Sequence, residues 1–488
     1  MMNMLKRPLA KAHLPVLLLA LSGCTLMPDY LQPSAPVAPS WPFAVSAENK
    51  GPSIAELGWQ DFFKSPELRA LIAKGLANNR DLRIAALNID VARAQYRVQR
   101  SDLLPDIKAG GSLSRARTPQ TTSSTGSAQI NSTYTANVST TAFEIDLFGR
   151  LRSLNEAAMQ EYLATDEARN SVQISLIAEI ANAYLQLLAD RAQQQLAQQT
   201  LQAQQDSYDI SQRRFNEGIG SQLDLSQART LLETARVDSI TYARIVQQDR
   251  NALDLLVGAQ VQDNELAGVF EQADQFVSTL QAGLPSDLLL NRPDIRQAEH
   301  SLKAANANIG AARAAFFPTI SLTASGGTAG TELSQLFGAG SGLWTFVPQI
   351  TLPLFSGGRN VANLDIAELR KNIAVASYEK AIQSAFRDVA NALVARETLD
   401  DELAAQQQLV NANDESYRLA QARYEQGVSG YLDVLDARRN MYGAQQQLIS
   451  RRLAMLENYI ALYAALGGGQ LDKAPSLAAP PAAPLAAP

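Results

Sequence analysis

The sequence predicts an α+β protein written twice along one chain, with two β-hairpins (four strands per chain) and two long helical hairpins; an α+β membrane protein and a soluble β-hairpin both fit the strand pattern. Three observations predict it. First, Tyr208–Arg229 (YDISQRRFNEGIGSQLDLSQAR) recurs in the stretch from Tyr417 to Asn440 (YRLAQARYEQGVSGYLDVLDARRN). Tyr208, Arg214, Gly218, Leu223, Asp224, Ala228 and Arg229 align without gaps on Tyr417, Arg423, Gly427, Leu432, Asp433, Ala437 and Arg438, and Phe215 becomes Tyr424. Two hairpins of one design mark an internal duplication. Second, residues 151–217 and 359–426 contain neither proline nor glycine. Each run is long enough for a helix of roughly 100 Å at 1.5 Å per residue, too long for a compact domain. Third, the segments before these runs, 106–147 and 318–355, are poor in charge and alternate apolar with polar residues, the period of a strand.

Residues 1–23 carry Lys6, Arg7 and Lys11, no acid, and an apolar stretch from Leu14 to Leu21. This reads as a signal peptide, too short to remain as a spanning helix. Its end, Leu21-Ser22-Gly23-Cys24, resembles the lipobox of bacterial lipoproteins, which implies cleavage before Cys24 and acylation of that residue. The next residue is Thr25 rather than Asp, so the usual inner-membrane retention signal is missing and the outer membrane is favoured. An ordinary signal peptide with a chance cysteine is the alternative. Multiple acyl chains, at about 0.8 kcal/mol per buried CH₂, would anchor the chain firmly in outer-membrane lipid.

Residues 24–58, rich in Pro, Ser and Ala, read as an extended strap. The first structural repeat is placed at 59–258. It comprises a short helix opened by Pro66-Glu67-Leu68, then a helix from Asn79 to about Leu104 that Pro105 stops. Its stripe is Leu82, Ala86, Ile89, Ala92 and Tyr96. A β-hairpin follows within 106–147, with a polar loop between Arg117 and Ile130. Ile130, Tyr134, Ala136 and Val138 alternate there with Asn131, Thr133, Thr135, Asn137 and Ser139. A long helical hairpin over 150–258 completes the repeat. Its glycine Gly218 supplies the left-handed helix cap, and Ser221 or a nearby Asp suits the start of the returning helix. A connector spans 259–292. The second repeat, 293–467, contains a β-hairpin within 318–355 and a helical hairpin over 359–466, turning at Gly427. Residues 468–488, rich in Pro and Ala, read as a disordered tail.

The composition excludes several functions. The formal net charge is −6, and about −9 without residues 1–23, so there is no basic footprint for nucleic acid. The chain has one cysteine, Cys24, and two histidines, His13 and His300. An internal disulfide, a His/Cys metal cluster and a Cys–His pair are therefore excluded, and no metal or cofactor is expected. His300 reads as a surface or packing residue. No nucleophile–base pair or phosphate loop stands out, so an enzyme is not expected.

Four strands cannot close a barrel, for which about eight is the practical minimum, and open sheet edges do not occur in lipid. If the strands lie in a membrane, several chains must complete one ring. Three chains give 12 strands, but two or four would also close.

Several segments make the resemblance specific. They are the Cys24 box followed by CTLMPDYLQP, RSDLLPDIKAGGSLS, the connector LPSDLLLNRPDIRQAE and the turn YEQGVSGYLDVLDARR. Together they resemble the TolC-like outer-membrane factor family, lipoprotein branch, over essentially residues 24–467. The resemblance implies a homotrimer whose 12-stranded outer-membrane β-barrel continues into a long periplasmic α-helical barrel. It implies the exit duct of a tripartite efflux system, exporting drugs or other small toxic compounds. A periplasmic adaptor protein and an inner-membrane resistance-nodulation-division transporter are the implied partners.

In that family the periplasmic tip narrows at the second helical hairpin. Matching YLDVLDA carries the constriction onto Leu432, as an apolar ring, and onto Asp433 and Asp436, as acidic positions. Like carboxylates brought together by symmetry need cations, neighbouring Arg or partial protonation, and such rings favour cation entry. Arg438 and Arg439 are the candidate partners. Helix capping is the plainer reading of both aspartates, and Asp224 reads as capping or lining. Some members place an Arg in the turn where this chain has Ser429 and Gly430, so any lock must use other residues. Gly218 and Gly427 are placed at turns that contact the adaptor, although closing the helix suffices to explain them. A structural coiled-coil lipoprotein without channel activity, and the duct of a metal-efflux or protein-secretion system, are the alternatives.

Overall fold

The computed structural model describes residues 25–41, 57–124, 126–270 and 291–469. Cys24, the signal peptide, most of the connector and nearly all of the tail lie outside them. The helices are α1 (Trp59–Phe62), α2 (Pro66–Asn78), α3 (Arg80–Ser101), α4 (Arg150–Asn216), α5 (Gln222–Val257), α6 (Pro293–Ala314), α7 (Arg359–Glu425) and α8 (Tyr431–Ala465). The strands are β1 (Lys108–Thr118), β2 (Gln129–Ile145), β3 (Thr319–Gly330) and β4 (Gly342–Thr351). One order of elements occurs twice: helix, two strands, a helix of 67 residues, then a returning helix of 36 or 35.

The chain divides into two units. One comprises residues up to Ser34, Asn88–Asp166 and Gln297–Glu379; the other comprises Ala35–Leu87, Glu167–Arg296 and Lys380 onward.

The first unit holds a four-stranded antiparallel sheet in the order β1-β2-β3-β4. Its register pairs Leu113 with Tyr134, Val138 with Gly326, Ile320 with Ile350, and Gly326 with Trp344. Paired residues share a face. One face therefore carries Leu113, Tyr134, Val138, Phe143, Ile145, Ile320, Leu322, Trp344, Phe346 and Ile350. The other carries Ser112, Asn131, Thr133, Thr135, Asn137, Ser321, Thr323, Thr345 and Gln349. Trp344 is 79% exposed and Ile350 68%, so no described residue covers this part of the apolar face. A bulge interrupts β2 between Thr140 and Phe143, where Ala142 takes φ 51°. Gly327 faces Ala136 so closely that a Cβ would meet its carbonyl oxygen.

Residues 25–34 carry no helix or strand and dock residue by residue within this unit. Met27 packs on Ala157, Ala304 and Ala307. The Asn306 amide donates to the Pro28 carbonyl at 2.7 Å, Tyr30 donates to Glu299 at 3.3 Å, and the Gln32 amide donates to the Tyr378 hydroxyl at 2.9 Å. His300 lies 2.6 Å from the Gln160 side-chain oxygen.

The second unit is built on an aromatic and aliphatic core. Phe62 stacks on Tyr463 at 4.6 Å, and Phe63 meets both edge-on. Leu68, Leu71 and Ile72 of α2 are buried, as are Ile177, Ile180 and Leu187 of α4. Gly75 packs so close to α4 that a Cβ there would meet the end of Ile180. Ser65 caps α2 by accepting from the Leu68 amide at 3.2 Å, with Pro66 in its first turn. Arg292 grips Asp294 with two bonds of 3.0 and 2.6 Å and donates to the Ala465 carbonyl at 2.9 Å, holding the end of α8.

One boundary differs from the sequence expectation. Helix α3 stops at Ser101, not near Leu104. The amides of Asp102, Leu103 and Leu104 instead bond three residues back. Pro105 disfavours helical dihedrals at the residue before it, which tightens the last turn.

Candidate functional site: the turns of the two helical hairpins

Both hairpins turn on a left-handed glycine. Gly218 has φ 73° and Gly427 φ 71°. The Ile219 amide bonds back to the Arg214 carbonyl at 3.0 Å, and the Val428 amide to the Arg423 carbonyl at 2.9 Å. This wrap satisfies the last carbonyls of α4 and α7. The two starts differ. Ser221 caps α5 by accepting from the Asp224 amide at 3.0 Å. Helix α8 begins at Gly430, which has no side chain to cap with.

Leu432, Asp433 and Asp436 all lie exposed on the first turns of α8, and Leu432 is 55% exposed. Asp433 sits in the first turn of α8, with its amide bonded to the Gly430 carbonyl at 3.3 Å. Asp436 pairs with Arg439 at 2.9 Å, an exposed contact worth a few tenths of a kcal/mol. The expectation for Arg438 needs correction. Its guanidinium lies 5.2 Å over the Tyr417 ring and donates to Gln204 at 3.3 Å, because the i+2 spacing from Asp436 points it to another side of the helix. Leu432, Leu435, Asp436 and Arg439 line a groove of about 210 Å³ with Gln227, Thr230 and Leu231 of α5.

Sequence reading missed the residue that ties the hairpins together. Tyr431, one position before Leu432, is buried with Ala228, Val434 and Leu435, and Tyr208, Tyr417 and Tyr424 pack around it. Its hydroxyl lies 2.6 Å from that of Ser207 on α4. Arg214 sits 5.2 Å over the Tyr424 ring. Higher on α8, the Tyr442 hydroxyl donates to Asp238 of α5 at 3.2 Å, and burial with that carboxylate pushes the phenol's pKa upward. The available signal was the departure at Tyr431 itself: its counterpart in the first hairpin is Gln222.

Among the described residues, no group of three or more His, Cys, Asp or Glu side chains is placed to hold a metal ion. The exposed side chains at the second turn include Leu432, Asp433 and Asp436, beside Glu425 and Val428.

A sheet with one apolar and one polar face, continued by helices of 67 residues, is the architecture of a channel subunit of the outer membrane. The chain belongs to the outer membrane efflux protein family, whose model matches residues 71–259 and 284–468. It acts in efflux at the outer membrane. The chain is 49% identical over 456 residues to the toluene efflux pump outer membrane protein TtgC of Pseudomonas putida, covering 93% of this chain and 94% of that one. It is 42% identical over 455 residues to the cation efflux system protein CusC of Escherichia coli, covering 92% and 97%. Its fold is similar to the open state of the MtrE outer membrane channel of Neisseria gonorrhoeae. The TM-score is 0.82 at 43% identity, covering 91% of this chain and 98% of that one.

Proposed function

We propose that three copies of this chain form the exit duct of a tripartite pump for small organic compounds. The four-stranded sheet carries this reading. Its apolar face is bare, its opposite face is polar, and β1 and β4 are both unpaired edges. Such a sheet is unstable in water on one face and unstable in lipid at both edges. Pairing β1 of one copy with β4 of the next satisfies both demands, and three copies make a 12-stranded barrel with a polar lumen.

The helices support the same assembly. Ile84, Leu87, Val91 and Val98 form an exposed apolar stripe on α3, and Val361, Ile366, Leu369 and Ile373 form another on α7. Such stripes call for lateral partners. The duct narrows at Leu432, Asp433 and Asp436 of each copy, where repeated carboxylates favour cations. The turns at Gly218 and Gly427 meet the periplasmic adaptor, which links the duct to an inner-membrane resistance-nodulation-division transporter. Acylated Cys24 anchors the strap in outer-membrane lipid.

The identity with the toluene efflux protein exceeds that with the cation efflux protein, which supports organic cargo. Native mass spectrometry of the detergent-purified protein tests the assembly. The expected particle is a trimer whose gel migration changes on heating and which conducts ions in planar bilayers. A compact monomer without conductance ends the proposal.

A further inference from the structure

We propose that Arg115 and Arg117 form a binding site for the phosphate groups of outer-leaflet glycolipid, at the rim where the sheet leaves the membrane. The inference rests on the reading that the sheet lies in the outer membrane with its apolar face toward lipid.

The register pairs Arg115 with Ser132 and Arg117 with Ile130. Alternate residues of a strand share a face, so both arginines lie on the face of Leu113 and Tyr134, the apolar one. The described strands hold two other charged residues, Lys108 and Glu144. Their pairing with Ser139 and Ser321 puts both on the polar face. Each of these has a partner: Lys108 lies 2.8 Å from Asp106, and Glu144 accepts from Arg150 at 2.6 Å. Arg115 and Arg117 are exposed, and neither makes an ion pair among the described residues. The adjoining loop, residues 119–128, contains no acid. Glu332 in the loop of the other hairpin is engaged by Ser334 and Gln335 at 3.4 and 3.3 Å. The apolar face thus ends in two positive charges that the chain itself does not neutralise.

Their depth decides what they meet. Strand β1 runs 11 residues from Lys108 to Thr118, the length of a spanning strand. Helix α3 leads into its first residue, so the arginines stand at the opposite end, where the loops are. With the large helical portion in the periplasm, that end faces the cell exterior. An arginine on the lipid face is costly at the bilayer midplane and nearly free at the interface. Tyr134, a diagonal neighbour of Arg115 on the same face, is a residue type that settles at headgroup level. The outer leaflet there presents phosphorylated glycolipid, and the charges are complementary. Two guanidinium forks about 7 Å apart each offer paired N–H donors to phosphate oxygens. Leu113 and Tyr134 beneath them receive the acyl chains.

Native mass spectrometry of the full-length assembled protein counts bound lipid during titration with diphosphoryl lipid A, or with the same lipid stripped of phosphate. The parent should hold the phosphorylated form on the order of tenfold more tightly. Arg115→Gln combined with Arg117→Gln should lose that preference, and Lys108→Gln at the other end of β1 should keep it. Equal affinity for both lipids in the parent overturns the site, and this comparison stands even if the double variant fails to fold. An undiminished preference in the double variant, or an equal loss in Lys108→Gln, overturns it too. Trp344 lies on the same face, and its quenching by brominated lipid in vesicles, measured against Trp344→Phe, tests the membrane reading separately. Quenching without a phosphate preference sinks the site alone; absence of quenching removes the membrane-embedded sheet and the site with it.

Discussion

The Ser207 hydroxyl and the Tyr431 phenol lie 2.6 Å apart, joining the lower part of α4 to the first residue of α8. That bond closes a cluster in which Ala228, Val434 and Leu435 are buried. It ties the first hairpin to the start of α8, one residue before Leu432.

Tyr431→Phe keeps the ring and removes the hydroxyl. Loss of one such hydrogen bond costs about 1 kcal/mol. The expected outcome is a folded trimer with more frequent channel openings at equal voltage. A conductance trace matching the parent would show that this bond does not restrain the turn.

Asp436→Ala removes one carboxylate per copy and releases Arg439. Single-channel conductance should rise and cation selectivity should fall, since a ring of like charges is lost. Reversal potentials in a salt gradient measure the second effect directly.

Asp249 of α5 contacts Asp190 of α4, which is 8% exposed. Burial first, and then the neighbouring carboxylate, push the Asp249 pKa from 3.8 up to about 6. An acid raised in the folded state binds more protons there than in the unfolded chain, so stability falls as pH rises from about 4 to about 6 and then levels off. Asp249→Asn resembles the protonated form. It should flatten that slope and raise the melting temperature at pH 7 relative to the parent. Parallel melting curves across this range for parent and variant would contradict the raised Asp249 pKa.

Gly310→Val tests the strap. A Cβ at Gly310 would lie 2.8 Å from the Met27 Cα and 2.5 Å from the Ser153 hydroxyl. Overpacking of this kind costs about 1–3 kcal/mol. The strap should lift, and limited proteolysis within residues 25–41 should accelerate while the sheet remains protected.

Cys24→Ser removes the acylation site. The protein should lose its lipid mass in intact mass spectrometry and fractionate partly with soluble periplasmic proteins. Finding unmodified Cys24 in the parent would remove the lipoprotein assignment.

Much of the candidate site was legible because its determinants are local. Gly218 and Gly427 were marked by helices ending at them, and both adopt the left-handed conformation that such an ending requires. The α3 stripe was legible for the same reason: Leu82 and Ile89 are buried, with Ala86, Ala92 and Tyr96 half-buried beside them. Arg438 was assigned to the wrong partner because Gln204 and Tyr417 lie on other helices, and no pattern along α8 marks them.

By itself, the sequence determined where helices run and turn and which strand residues alternate, because these depend on neighbours within a few positions. Only the tertiary structure decided that β2 pairs with β3, leaving β1 and β4 as edges, and that Tyr431 reaches Ser207. Those choices join residues far apart in the chain. Their energy comes from burial and hydrogen bonds that exist only once distant segments meet.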